Sequence, residues 1–130
     1  MRTFLIFILL WPVASSATDL FKEAEGNWTG LSKSIYSIYG DVSINNKELV
    51  FSEQGTYKYK IIKDMNDSII LELEDSLYCG KFIRLGPFNG NNMEFSVYKS
   101  KEDALLPKIK VKYFSEKKYT NFCSWGVYIK

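Results

Sequence analysis

The chain contains no histidine, and its two cysteines, Cys79 and Cys123, are too few for a metal cluster. Zinc of the usual kind therefore has no ligand set, and no nucleophile can be paired with an imidazole base. Arginine is almost as scarce, occurring only as Arg2 and Arg84. Neither sign of charge dominates: 17 Lys and Arg stand against 15 Asp and Glu, a net charge of +2. That balance argues against nucleic acid as the main partner. Acidic residues cluster at Glu72-Leu73-Glu74-Asp75 but lack the spacing of a calcium loop. No carboxylate pair is singled out for glycoside hydrolysis. No catalytic residue, metal site or cofactor is expected, and the chain does not read as an enzyme.

Long apolar runs are also missing, with one exception at the very start. Met1-Arg2 is followed by the apolar stretch of residues 3–14, then by small residues at Ser15-Ser16-Ala17, then by polar Thr18-Asp19. This is the layout of a secretory signal. Ser15 and Ala17 satisfy the small-x-small rule, so cleavage is expected after Ala17, with Ser15 the next choice. The run is too short to span a bilayer. No cysteine stands at the cut to take a lipid anchor. Residues 18–130 then form one domain, monomeric and secreted or periplasmic, with a modest single core.

In an oxidising compartment the even pair Cys79 and Cys123 is most simply one disulfide. Two glycosylation sequons, Asn27-Trp28-Thr29 and Asn66-Asp67-Ser68, matter only in a eukaryotic secretory pathway. The heavy use of Lys, Asn and Ile points instead to an AT-rich coding sequence and leans towards a bacterial source.

Most of the rest reads as short strands with period-2 alternation between turn residues. An opening strand is expected from Trp28 to Lys33. Ile38, Gly40, Val42 and Ile44 alternate with polar residues up to a two-residue turn at Asn45-Asn46. Leu49 and Phe51 continue the apolar face to a turn at Glu53-Gln54-Gly55. Tyr57, Tyr59 and Ile61 follow, then Ile69, Leu71 and Leu73 beyond a turn at residues 65–67. The implied registers place Val42 beside Leu49, Phe51 beside Tyr57, Leu49 beside Tyr59, Tyr59 beside Leu73 and Ile61 beside Leu71. Lys60 then faces Glu72, and Lys58 faces Glu74, on the outer side. A meander over residues 37–75 results.

Further strands are expected at Tyr78–Leu85, ending at Gly86-Pro87, and along Met93, Phe95 and Val97. Ser100 and Asp103 suit a short capped helical turn stopped before Pro107. Ile109, Val111 and Tyr113 alternate with three lysines, and Cys123, Trp125, Val127 and Ile129 mark a last strand. Residues 99–118 are rich in lysine, which reads as a solvated strand face. Eight or nine antiparallel strands in one short domain favour an all-β up-and-down barrel, since closure removes exposed edges. A two-sheet β-sandwich is the alternative.

Gly26-Asn27-Trp28 at the first strand, with Leu49-Val50-Phe51 and Gly55-Thr56-Tyr57 downstream, resembles the lipocalin-like barrels. The resemblance implies an eight-stranded barrel whose closed end is plugged by Trp28. The chain is short for that group and lacks an arginine on its last strand to stack on the tryptophan.

Trp28, Tyr57, Tyr59 and Tyr113 are the candidate lining of a pocket for a small apolar ligand, and Arg84 could hold a carboxylate or phosphate. The same tyrosines would equally fill a barrel interior just wide enough for side chains. Two functions follow. One is an exported carrier of a small apolar ligand. The other is a protein-binding module, of inhibitor or immunity type, acting on a secreted or periplasmic target.

Overall fold

The computed structural model describes residues 16–106 and 121–130. Helix α1 (Ser16–Ala24) leads into β1 (Gly26–Gly30), and helix α2 (Lys33–Ile38) follows. Four meandering strands come next: β2 (Val42–Ile44), β3 (Glu48–Phe51), β4 (Gly55–Asp64) and β5 (Ile69–Leu77). Then come β6 (Gly80–Asn89), β7 (Asn92–Tyr98), helix α3 (Lys101–Leu105) and β8 (Ser124–Ile129). Each strand pairs antiparallel with its neighbour in sequence, and β8 returns to β1. The result is a closed eight-stranded up-and-down barrel, as the alternation and turn spacing predict. The expected signal segment and the strand at Ile109, Val111 and Tyr113 lie outside the described residues, apart from Ser16 and Ala17. The expected cleavage point after Ala17 falls in the first turn of α1.

The expected opening strand to Lys33 stops at Gly30, and the alternation read from residue 37 is helical up to Ile38. Ile35, Ile38 and Tyr39 stand at i, i+3 and i+4, a helical face that five alternating residues disguised. Ser32 begins the helix in an extended conformation, and Ile35 is driven fully into the barrel. We call this end, with α2 and the β5–β6 turn, the upper end. Helix α1 covers the lower end, packing Leu20, Phe21 and Ala24 against the core.

Two hairpins sit two residues away from the expected register. Val42 pairs with Phe51 and Ile44 with Leu49; Leu49 pairs with Tyr57 and Phe51 with Gly55. The cause of the first shift is Asn45, whose Oδ1 accepts the N–H groups of Lys47 and Glu48 and moves the turn along the chain. In the second, Gly55 takes the left-handed conformation and closes the loop one position earlier. A shift of two keeps every side chain on its face, so hydrophobic patterning is blind to it.

Between β4 and β5 the expected pairs Tyr59–Leu73, Lys60–Glu72 and Ile61–Leu71 form. A bulge follows at Ile62, and Ile61, expected inside, is largely exposed. The ladder ends at Tyr59–Leu73, so Lys58 and Glu74 do not meet in register.

β6 does not stop at Gly86-Pro87 but continues to Asn89 through a register shift between Leu85 and Phe88. Such a shift accommodates a proline that has no N–H to give the ladder. Tyr78 belongs to the turn before β6 rather than to the strand. On β8 the buried positions are Gly126 and Tyr128, and the Trp125, Val127, Ile129 set lies on the other face. Position 126, which faces in, must be glycine because a Cβ there would stand 1.9 Å from Ile35 Cγ1.

The core is filled from every strand. Leu49, Leu71, Leu73, Ile83, Leu85, Met93, Phe95 and Val97 are fully or almost fully buried. A second, outer cluster of Ile70, Tyr98 and Ala104 packs beneath α3. It explains why Ile69-Ile70-Leu71 is apolar without alternation. Ser100 caps α3 by accepting the Asp103 N–H at 3.2 Å, as expected.

Cys79 and Cys123 form a disulfide, with Cα atoms 6.2 Å apart. It ties the β5–β6 turn to the residue before β8 across 44 positions. Closing a loop of that length contributes up to about 4 kcal/mol by chain entropy. Replacing both cysteines with serine should therefore lower the urea midpoint by an amount equivalent to about 2–4 kcal/mol while the barrel stays folded. An unchanged midpoint would show that the crosslink restrains nothing in the unfolded chain.

Candidate functional site

Trp28 lies 2% exposed at the lower end, beneath α1. Its Nε1 donates to the carbonyl of Ala24 at 2.8 Å. The Lys130 ammonium stands 4.8 Å from the ring centroid and donates to the carbonyls of Glu25 (2.7 Å) and Glu23 (3.1 Å). Lysine thus occupies the stacking position for which no arginine was available. The missed signal was a cation one residue beyond the last strand. Trp28 thus fastens helix α1 to the lower end of the barrel.

The interior carries a chain of rings in contact. Tyr39 meets Phe95 at 5.3 Å and Phe51 at 5.7 Å between centroids, and Phe95 meets Tyr128 at 5.4 Å. All four rings are buried. The Tyr128 hydroxyl donates to the carbonyl of Gly40 at 3.1 Å. Burial pushes the Tyr39 hydroxyl, which has no hydrogen-bond partner among the described residues, up to about 12, with Ser124 opposing the rise and Tyr78 adding to it. Burial, then the Tyr39 and Asp41 charges, raises Tyr128 as well.

Tyr57 and Tyr59 are half-buried where the wall is interrupted. The β4–β5 ladder stops at Tyr59–Leu73, and the β5–β6 register shifts between Glu72 and Leu77. Residues 74–76 bulge outward there. A cleft of about 320 Å³ opens at this break, lined by Tyr59, Leu73, Lys60, Glu72, Glu74 and Lys81. Glu72 pairs with Lys81 at 3.5 Å and Lys60 at 3.8 Å. The Tyr59 hydroxyl donates to the carbonyl of Asn45 at 2.7 Å. Its pKa is pushed up to about 12 by burial and then by the nearby Glu25. A second shallow cleft, about 300 Å³, runs over the outer face of β1–β3 past Asn27, Thr29, Asp41 and Ser43.

Arg84 is not in the interior. It sits 3% exposed in the outer cluster, and Nη1 donates to Ser68 Oγ at 3.1 Å. Nη2 donates to the carbonyls of Ala104, at 2.8 Å, and Leu106. The guanidinium lies 6.0 Å from the Tyr98 ring centroid. It therefore satisfies the last carbonyls of α3 and pins that helix to the wall. Its geometry does not bring it to Trp28, Tyr57 or Tyr59. Tyr113 falls outside the described residues.

The upper rim holds what sequence reasoning missed. Leu31, Tyr36 and Tyr78 are 55%, 59% and 60% exposed. The Tyr36 Cα packs 3.2 Å from where a Gly30 Cβ would stand, one residue from Leu31. Tyr39, one helical turn from Tyr36, meets the Tyr78 ring edge-on at 5.9 Å. These three exposed side chains thus lie on segments at the end of the barrel that α2 closes: after β1, on α2 and in the β5–β6 turn. The available signal was Leu77-Tyr78, two apolar neighbours where alternation calls for one.

The fold and these sites define a closed up-and-down β-barrel whose described inward side chains are buried, with exposed apolar side chains at its upper end. The chain matches no family model, no curated protein and no solved structure. Among the described residues no group of three His, Cys, Asp or Glu is placed to hold a metal.

Two measurements check this geometry. A phenol whose pKa is raised in the folded state contributes stability that is complete below the ordinary value near 10. That contribution drains as pH rises through the folded value. The unfolding midpoint should fall between pH 10 and 12, and Tyr39→Phe should remove part of the fall. An alkaline profile identical in wild type and Tyr39→Phe would show that this hydroxyl titrates normally. Arg84→Ala should cost about 2–4 kcal/mol through lost charge-assisted hydrogen bonds and speed amide exchange in α3. Exchange unchanged across residues 101–105 would mean α3 is held by other contacts.

Proposed function

We propose that the chain is an exported binding module that meets a protein partner through its upper rim, in the manner of an inhibitor or immunity protein. The observation that carries this reading is the placing of Leu31, Tyr36 and Tyr78 in solvent at one end of a barrel whose described inward rings pack on one another. Exposed apolar side chains grouped in this way mark interaction sites, and tyrosine is favoured among residues that dominate binding energy. A site outside the cytoplasm, secreted or periplasmic, fits the Cys79–Cys123 disulfide and the tripartite N-terminus. No helix among the described residues is long and apolar enough to cross a membrane.

A small-ligand reading rests on a different feature, the cleft at the wall break with Tyr59 and Leu73 as its floor. The resemblance of the Gly26-Asn27-Trp28 start to lipocalin-like barrels points the same way. Titration with an apolar fluorophore separates the two. The rim reading expects no saturable uptake. One-to-one binding at micromolar affinity, about −8 kcal/mol, with quenching of Trp28 would overturn it in favour of a carrier. A photoreactive residue at position 36 or 78, in cells that export the protein, should give one discrete adduct. The same residue at Asn66, in the turn at the opposite end, should give none. Equal labelling from all three positions would remove the rim from consideration.

A further inference from the structure

Tyr78 has φ of 60°, and the other non-glycine residue with positive φ among those described is Asn66. Asparagine tolerates that conformation through its short polar side chain, whereas a ring on Cβ does not. Leu77 pairs with Gly80, so Tyr78-Cys79 is a two-residue turn. Its first position, with positive φ, is one that glycine normally holds. The glycine of this segment is spent two residues later. At Gly80 a Cβ would stand 2.1 Å from the carbonyl oxygen of Tyr98. The turn is thus pressed down on the end of β7 and displays an aromatic residue in a strained backbone.

Such strain persists only where the surroundings over-determine it. Leu77 is fully buried on one side of the turn, and Gly80 is jammed on the other. The remaining member, Cys79, is held by Cys123, whose own N–H donates to the Val97 carbonyl at 2.8 Å. Of the three restraints the disulfide, which packs against the edge of the core, is the one that chemistry can release without a substitution. Residues next to it carry the rim: Tyr78 precedes Cys79, and its ring rests against Tyr39.

We propose that the Cys79–Cys123 bond is a redox gate on the upper rim. Oxidised, it holds Tyr78 displayed over Tyr39; reduced, it lets the turn relax and the ring withdraw from that position. The proposal rests on the rim reading above. The reductant is a dithiol: it passes two electrons and two protons to the bridge, which opens to the thiols of Cys79 and Cys123. The dithiol closes to its own disulfide. Because reduction relieves the strain at Tyr78, strain and reducibility are linked. Removing the strain must make the bond harder to reduce.

The test uses the full exported chain equilibrated in mixtures of reduced and oxidised dithiothreitol, with the disulfide fraction read by alkylation and mass. A left-handed residue of this size carries strain worth about tenfold in an equilibrium constant. Tyr78→Gly should therefore be about tenfold harder to reduce than wild type. Tyr36→Ser, which leaves the turn alone, should match wild type. In the reduced wild-type protein, ring-to-ring NMR contacts between Tyr78 and Tyr39 should vanish while those between Tyr39 and Phe95 persist. Equal reducibility of wild type and Tyr78→Gly overturns the proposal. So does a Tyr78–Tyr39 contact that survives reduction, or a cooperative loss of the whole barrel on reduction. None of those results touches the rim reading, whereas one-to-one fluorophore uptake by the oxidised protein overturns the rim reading and leaves the redox linkage standing.

Discussion

Gly126 leaves on β8 the space that Ile35 occupies, and the upper half of the barrel is arranged around that contact. Any side chain there would overlap Ile35 Cγ1 and Ser32 Oγ. Ser32 in turn accepts the Val127 N–H, and the Leu31 N–H donates to the Val127 carbonyl. Helix α2 is thereby fastened to β8 and sealed into the end of the barrel. The fastening matters because the β1–β8 seam is short, with Thr29–Ile129 and Gly30–Tyr128 as its paired positions. A short seam closes a barrel poorly by hydrogen bonds alone. Here a buried isoleucine and a tyrosine hydroxyl reaching Gly40 complete it.

The filling of the interior follows from the same arrangement. With α2 plugging one end and α1 covering the other, the rings of Tyr39, Phe51, Phe95 and Tyr128 are buried against one another. The wall is uneven. β5 to β7 are buried on both faces because α3 and its outer cluster cover them, and Arg84 is drawn into that layer by helix-end carbonyls. At the opposite extreme, β5 parts from both neighbours beyond Leu73, and the charged cleft forms there. A lone arginine in a sequence invites a ligand role; here Nη2 donates to two carbonyls at the end of α3 and Nη1 to Ser68, so the guanidinium clamps that helix.

The rim and the disulfide belong to one mechanical unit. A closed barrel has few places where an apolar side chain can be presented without exposing a strand edge. A two-residue turn fixed at its second residue by a covalent bond is such a place. Strain at Tyr78 is then the counterpart of preorganisation, since a ring already held in solvent loses less entropy when a partner buries it.

Much of the barrel was legible along the chain. Alternation identified the strands that face one filled core, from Val42 through Leu73 and again at Met93, Phe95 and Val97. Turn chemistry at Asn45, Gly55 and Ser100 located the breaks, and the cysteine pair foretold its bond. What periodicity could not settle was anything invariant to a shift of two residues, which is why two hairpin registers moved while every face was kept. It also misread Ile35, Ile38 and Tyr39, because a six-residue helix and a short strand share too few positions to be told apart. Trp28, Tyr57 and Tyr59 could be recognised as inward residues, but whether they lined space or filled it depended on neighbours distant in sequence.

The amino-acid sequence by itself determined an all-β chain of antiparallel strands, its disulfide and the apolar side of most strands, β8 and the bulged end of β4 excepted, because these rest on local alternation and on pairwise turn chemistry. Only the tertiary structure decided that Arg84 clamps a helix, that Lys130 covers Trp28, and that Tyr78 stands strained at an open rim. Each of those depends on which distant backbone atoms leave room: Gly126 for Ile35, Gly80 against Tyr98, the end of α3 for a guanidinium. Excluded volume between remote segments is a property of the closed ring, and no window of sequence contains it.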